Sequence, residues 1–403
     1  MGTLEKTLSH DGSDAAGSHP ITEVSDDATW SPEAEQKLVR KIDFLLVPIL
    51  WLMSLLNYMD RANLGNAAIA GLLKDLQMSS SQFSLAIITY TFGYCAWVAF
   101  SNIILSRTRP SIFLPVVMTL WGVATVGTGF VKTYPQLMVV RTLLGALEAG
   151  FPIAVTFLFS CWYTGKELGK RASLFMTASL VGGAFGSLIA GGVIKNLDGA
   201  RGIAGWRWLF IIEGVITIFV SFFATMILPD YPATCKRLSE DERLIAIRRL
   251  QNARIMVDEN KAPKLGIWKS LVRALTNWRT YGVALGAILV CGPLTQAYFY
   301  PALVRGLGYN SSVTAQFMTV PIWMCGFVFA IGFGFLCDRK PLYRAVTITG
   351  NLALLSLMGV VSCAVYDFKA RYVFLTIMTG ALWGGFSQFM AYNAELFQPL
   401  EPE

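Results

Sequence analysis

Four ionisable side chains stand in stretches of this sequence that are otherwise apolar. Arg141 and Glu148 lie within YPQLMVVRTLLGALEAGFP (134–152), and Asp60 and Arg61 within NYMDRANLGNA (57–67). On a helix turning about 100° per residue, Arg141 and Glu148 fall within about 20° of one azimuth and about 10.5 Å apart along the axis. Gly145 sits between them on that stripe, leaving room for a close neighbour or a ligand, and Pro152 follows one turn later. Asp60 and Arg61 are adjacent and point about 100° apart, so they must engage different partners. A guanidinium presents a planar fork that fits a carboxylate. Burial penalises the charged form of an acid, so a buried carboxyl can load and release a proton near neutral pH. Together these groups suit proton-coupled handling of an anion: protonating the acid frees an arginine for the substrate, and releasing both resets the site. The alternative is an ion-pair network that only ties the two segments together.

The elements that must position these charges are membrane spans. The 403 residues are 54% hydrophobic and 15% charged, with a mean hydropathy of +0.52, against about 25% charged in ordinary soluble domains. A span needs roughly 20 mostly apolar residues. Ten segments meet that criterion, near 43–66, 83–105, 112–131, 135–158, 172–194, 207–228, 280–303, 314–336, 344–365 and 372–393. Their continuous apolar character excludes a strand barrel, which alternates with period two. The fold class is therefore an all-α membrane protein, a helical bundle with six plus four transmembrane helices. A charge at the bilayer centre costs about 2.5–3.5 kcal/mol on insertion scales, so these charges must face the bundle interior or a wet cavity.

The formal charge of +7 does not point to nucleic acid, because of where the charges lie. With a cytoplasmic N-terminus and Lys6 of the distant tail left out, inner segments hold 22 Lys/Arg and outer segments 8; without the 229–279 stretch the ratio is 11 to 8. The bias places the N-terminus in the cytoplasm. The chain divides into a disordered cytoplasmic tail (1–40, with its most polar part ending near 35), an N-terminal six-helix bundle (41–228), a cytoplasmic linker (229–279) and a four-span second bundle (280–403). In the linker, Ser239 and Glu242 form a capping-box pattern, and Leu244, Ile247 and Leu250 recur at helical spacing, which predicts an amphipathic helix. The two-part plan is that of a repeat-built transporter.

Weaker signals surround the charges. SNIILSRTRPS (101–111) and GFLCDRKPLYR (334–344) are short basic loops at equivalent places in the two halves; Asp338 and Arg339 are candidate gating residues, while the first copy has Asn102 in place of an acid. Tyr58, Tyr90, Tyr94, Gln296, Tyr298, Tyr300, Gln388 and Asn393 are candidate cavity-lining groups. Glu213, in GWRWLFIIEGV, reads as structural, paired with a nearby helix end. Asn310-Ser311-Ser312 matches a glycosylation sequon, and GGAFGSLIAGG (182–192) offers small-residue packing surfaces. The seven cysteines read as apolar core residues, not as disulfides or metal ligands. Both histidines, His10 and His19, lie in the polar tail, so intramembrane proton chemistry falls to carboxylates.

Five stretches in order, NYMDRANLGNA (57–67), RTLLGALEAG (141–150), YTGKELGKRAS (163–173), GWRWLFIIEG (205–214) and LSEDERLIAIRRL (238–250), resemble the anion:cation symporter family of the major facilitator superfamily, in its fungal allantoate and nicotinate permease-like branch. The resemblance runs from about residue 37 to 393. It implies proton symport of small organic anions by alternating access between two six-helix bundles. It also implies Asp60 and Glu148 as proton-handling acids, Arg61 and Arg141 as arginines tied to those acids and to the substrate carboxylate, and Tyr58 and Tyr90 as substrate-facing tyrosines. The chain departs from the pattern at WVAFSN (97–102), where the branch has an acid and a proline. It departs again after Asn393, where AELFQPLEPE replaces the start of two further spans, leaving two fewer than the usual twelve; a truncated gene product is the expectation.

The resulting expectation is a secondary active transporter for a small organic carboxylate, with Arg61, Arg141, Tyr58, Tyr90, Gln296 and Asn393 as substrate-binding residues. No cofactor, metal or nucleic acid is expected, and no enzymatic nucleophile motif is evident. The partners are substrate, protons and the lipid bilayer, and the expected state is a monomer in a plasma membrane. The rival is a non-transporting receptor or regulatory fragment that keeps the binding site.

Overall fold

A computed structural model describes residues 30–235, 237–254, 272, 275–309, 311–339 and 343–396. Asn310 of the sequon and residues 1–29 lie outside the described residues, as do the side chains of Asn102, Asp338, Arg339 and Asn393. The described residues are helical with no strand among them, and ten segments are long and apolar enough to cross a membrane. The helices are α1 (Pro32–Ala67), α2 (Ser80–Arg107), α3 (Pro110–Thr128), α4 (Tyr134–Glu148), α5 (Phe151–Trp162), α6 (Gly165–Leu197), α7 (Gly205–Ile227), α8 (Glu240–Arg254), α9 (Trp278–Cys291), α10 (Tyr300–Gly306), α11 (Ser312–Arg339), α12 (Tyr343–Ala364) and α13 (Phe368–Leu396).

Helix α1 begins at Pro32, well ahead of the expected residue 43 and inside the stretch expected to be disordered. Pro32 occupies the first turn, where its missing N–H costs nothing, and the Ser31 hydroxyl accepts from the Ala34 N–H. Leu38, Ile42, Leu46 and Leu50 recur every fourth residue and are buried, so the core-facing stripe continues below the apolar span. Two other spans are broken. The fourth is interrupted after Glu148 because Pro152 cannot donate to the Glu148 carbonyl and its ring crowds it. The seventh, expected as one helix over 280–303, is α9, a 3₁₀ segment (Gly292–Phe299) with Pro293 in its first turn, and α10 with Pro301 in its own.

The first six spans pack as α1 on α6, α2 on α4 and α3 on α7; in the second half α11 and α12 pack on α13, and α6 meets α11 across the two halves. The α2–α4 contact depends on two glycines: a Cβ on Gly145 would stand 2.0 Å from the Tyr90 carbonyl oxygen, and one on Gly93 would stand 2.2 Å from that of Thr142. Beyond α1 the chain makes one π turn (Ala68–Leu72) with Gly71 at φ 114°. Carbonyls at this irregular end accept bonds from the other half: Asn66 O from Gln316 Nε2 at 3.1 Å, and Ile69 O from Ser312 Oγ at 2.9 Å and Arg305 Nη1 at 3.3 Å. These three bonds tie the end of α1 and its irregular turn to α10 and α11 of the second half.

Helix α8 has the predicted capping box, with Ser239 and Glu242 exchanging bonds. Its buried face is not the Leu244 stripe: Leu244 is exposed, while Ala246 and Arg249 are buried. The rotation is set by Arg249, which donates to the Trp162 carbonyl at 2.6 Å and to Glu167 at 3.2 Å. Lys41 of α1 pairs with Glu242 at 2.6 Å.

Two outcomes are expected. Gly145→Ala forces a methyl onto backbone that cannot yield, at a cost of about 1–3 kcal/mol, whereas Gly192→Ala meets nothing within 4 Å. Thermal unfolding in detergent will show a lowered Tm for the first and none for the second. Burial alone would raise the Glu242 carboxyl, but bonds from Lys41 Nζ and the Ser239 N–H outweigh it and hold it below the ordinary range. Such a group stabilises α8 docking above its unfolded value of about 4.3; the contribution is lost as pH falls through the lower folded value. The pair is part-exposed, so the effect is small, under about 1 kcal/mol. Hydrogen-exchange protection of α8 will fall with acid in the native chain and lose that component in Glu242→Gln.

Candidate functional site

The break after α4 puts Glu148 on the last turn of a helix, where free carbonyls disfavour a negative side chain. Three donors offset this at one carboxylate oxygen. Glu148 Oε2 accepts from Asn57 Nδ2 at 2.9 Å, Arg61 Nε at 2.9 Å and the Tyr90 hydroxyl at 2.7 Å. Asn57 and Arg61 are one turn apart on α1 and so reach the same acceptor; Tyr90 comes from α2, held close by Gly145. The Arg61 guanidinium also lies 5.2 Å from the centre of the Tyr94 ring and 5.6 Å from that of Tyr90, a cation–π arrangement that suits a partly desolvated arginine.

Asp60 points elsewhere, as adjacency requires. It is buried, and the ionisable groups facing it are Glu148 and Arg141 of α4 and Glu213 of α7; Trp121 and Thr125 of α3 complete its surroundings. Neither Asp60 oxygen has a hydrogen-bond partner of normal geometry. Arg141 is 1% exposed and lies over Phe210 at 5.6 Å, and its Nε and Nη2 likewise make no hydrogen bond. Arg61 is thus engaged by Glu148, while Arg141 keeps N–H groups available beside two acids.

Three more residues join this cluster: Glu213 and Asn57, to which the sequence gave no role at the site, and Tyr298, one of its weaker cavity-lining candidates. Glu213 does not pair with a helix end: it is 0% exposed, neither of its oxygens is hydrogen-bonded, and it faces Asp60 and Arg141. Asn57 had a local signal, its position one turn before Arg61 in NYMDRANLGNA. Tyr298, on the 3₁₀ segment, faces Arg61, Arg141 and Glu148 from the second half; only the break in the seventh span brings it there. Its carbonyl is where a Cβ on Gly65 would fall, at 2.2 Å.

The remaining candidates divide. Tyr90 is in the cluster. Tyr58 sits between the halves, edge-on to Trp323 at 5.6 Å and Trp383 at 5.9 Å. Gln296 is two residues from Tyr298, with a buried Oε1 that makes no hydrogen bond. Asn393, Asp338 and Arg339 have side chains outside the described residues. Among the described residues no group of three or more His, Cys, Asp or Glu side chains is arranged to hold a metal.

Comparison with known proteins agrees with this architecture. The sequence pattern of the Major Facilitator Superfamily matches residues 50–400. The chain is 35% identical over 340 residues to the MFS-type transporter cnsO of Penicillium expansum, covering 82% of this chain and 64% of that protein. It is 32% identical over 264 residues to the pantothenate transporter liz1 of Schizosaccharomyces pombe, covering 64% of this chain and 50% of that protein. It is 28% identical over 349 residues to the high-affinity nicotinic acid transporter of Saccharomyces cerevisiae, covering 84% of this chain and 63% of that protein. It therefore spans less than two thirds of the length of these relatives. Among solved structures, the partially occluded inward-open xylose transporter XylE from E. coli superposes with a TM-score of 0.68 at 14% identity, covering 88% of this chain and 85% of that one. By sequence pattern, by relatives and by fold, the chain belongs to the Major Facilitator Superfamily.

Proposed function

We propose that this protein is a secondary transporter of the anion:cation symporter type, carrying a small organic carboxylate together with protons by alternating access. The observation that carries the reading is the unequal engagement of two arginines in one buried cluster. Arg61 is occupied by Glu148, whereas Arg141 keeps Nε and Nη2 without a hydrogen bond. A guanidinium in that state is a receptor for a carboxylate, and protonation of Glu148 or Asp60 would change which arginine is available. The names of two relatives, a pantothenate and a nicotinic acid transporter, favour a carboxylate cargo.

In this reading Asp60 and Glu148 handle protons, and Arg61, Arg141 and Tyr90 line the anion site. Tyr58 and Gln296 face it from the boundary between the halves, and Asn393 is assigned to the same site on its sequence position alone. Asp338 and Arg339 act at the gate. The cross-half bonds at Asn66 and Ile69 close one mouth, and the substrate enters or leaves by the other. The excess of basic residues in one set of loops favours a cytoplasmic N-terminus, and we place the protein as a monomer in the plasma membrane.

The test is uptake of a panel of radiolabelled organic acids by the 403-residue chain in proteoliposomes, with and without an imposed pH gradient. Accumulation of one acid that grows with outside acidity is the expected result. In Glu148→Gln that uptake persists at reduced rate and responds less steeply to the gradient. In Arg141→Lys the loss of a charged, bidentate bond of about 1.5–3 kcal/mol lowers affinity roughly ten- to a hundredfold. Uptake in Glu148→Gln that follows the gradient as steeply as in the native chain would overturn proton coupling at this acid, and binding without flux would make the chain a receptor.

A further inference from the structure

Glu213 occupies a position that neither packing nor the ion pair at Glu148 explains. It lies mid-helix on α7, fully buried, and neither carboxylate oxygen is hydrogen-bonded. Thr217, one turn on and on the same face, has an unpartnered hydroxyl, as do Thr125 and the Trp121 indole N–H on α3. The close α3–α7 approach that encloses them is enforced by Gly214, where a Cβ would stand 2.7 Å from the Gly122 carbonyl oxygen. The charged groups facing Glu213 are Asp60 from α1 and Arg141 from α4. Helix α3 and the turn at 68–72 carry no ionisable residue, and those of α6 lie near its ends.

The charges do not balance if every acid is ionised. Asp60, Glu148 and Glu213 oppose Arg61 and Arg141, leaving one negative charge in excess in a low-dielectric core, an arrangement that buried groups avoid by taking up a proton. Glu148 is not the natural holder of that proton, because one of its oxygens accepts three hydrogen bonds, two of them from neutral donors and one from a guanidinium. Asp60 and Glu213 flank a single guanidinium and have no donor of their own. A proton on either would supply one, and a proton on both would leave Arg141 facing only Glu148, which is already paired with Arg61.

We propose that Glu213 is a proton-carrying site of this protein: it shares Arg141 with Asp60, and it must be protonated before Arg141 can hold the substrate anion. The proposal rests on the transporter reading above and adds to it a third coupled acid, contributed by the sixth span. The proton comes from bulk solution as the anion binds and leaves with it when the site opens to the other side. No bond other than the O–H is made or broken.

The experiment measures substrate affinity for the purified full chain against pH, from about pH 5.5 to 8, a range over which perturbed buried acids titrate, using whichever acid of the uptake panel binds. In Glu213→Gln the slope of log affinity against pH is expected to fall by one, a tenfold smaller change per pH unit, with tighter binding at the alkaline end. Glu213→Asp is expected to keep the native slope. A folded Glu213→Gln chain with an unchanged slope overturns the proposal, since a merely structural side chain alters stability and not the proton count. A second readout stands without any substrate. The protonated-carboxyl infrared band of the native chain is expected to titrate over the same range and to lose one acid's share of its intensity in Glu213→Gln. A folded Glu213→Gln chain that keeps the native band overturns the proposal. If no acid in the panel binds, the transporter reading fails, and the infrared measurement alone decides whether Glu213 carries a proton.

Discussion

Placing three carboxylates and two guanidiniums together inside a membrane helix bundle is the constraint on which the rest of this structure depends. Each charge would cost several kcal/mol if buried alone. The cost is tolerated only because acids and arginines from different helices meet one another inside the bundle. Asp60 and Arg61 come from α1, Arg141 and Glu148 from α4, and Glu213 from α7. Holding α1, α4 and α7 in register is therefore a requirement for insertion as well as for any chemistry at the site. The partition within the cluster follows from helix geometry, since neighbours on one helix cannot share a partner. Arg61 closes on Glu148 and leaves Asp60, Arg141 and Glu213 as an incompletely satisfied set.

The backbone supplies that register through absences. Gly145 and Gly93 have no Cβ, so α2 and α4 approach until carbonyls occupy the vacated space and Tyr90 reaches Glu148. Gly214 does the same between α3 and α7 beside Glu213. Pro152 ends α4 at Glu148 and Pro293 accompanies the break in the seventh span, and both breaks present functional groups at helix ends inside the bundle. The irregular turn after α1 serves the interface between the halves, because carbonyls at Asn66 and Ile69 accept bonds from Arg305, Ser312 and Gln316. Non-helical backbone is tolerated at such depth only where protein groups satisfy it.

This bond set also bears on movement. Two polar side chains and an arginine tie the halves together through carbonyl acceptors, each bond worth on the order of 1 kcal/mol, while the aromatic contacts of Tyr58 with Trp323 and Trp383 lie between the halves without a polar anchor. In the proposed transport cycle, a closure built from a few bonds of that size opens when a ligand binds the two states differently, whereas the glycine-packed contacts inside the first half leave little room for its helices to shift.

The sequence by itself determined the ten spans, because length and continuous apolarity are local properties. It also marked Asp60, Arg61, Arg141 and Glu148, because a charge in an apolar run is conspicuous wherever the run folds. The capping box at Ser239 was legible for the same reason. The start of α1, the rotation of α8 and the break in the seventh span were not: Leu38 and Ile42, and then Arg249, took their places from partners distant in sequence, and Pro293 and Pro301 permit a helix break without dictating one. Only the tertiary structure decided that Glu213 faces Asp60 and Arg141 and not a helix end, that Asn57 and Tyr90 converge on the same oxygen as Arg61, and that Tyr298 enters from the second half. Those relations depend on which helix faces come together, and a one-dimensional pattern gives each helix a buried face without saying whose buried face it will meet.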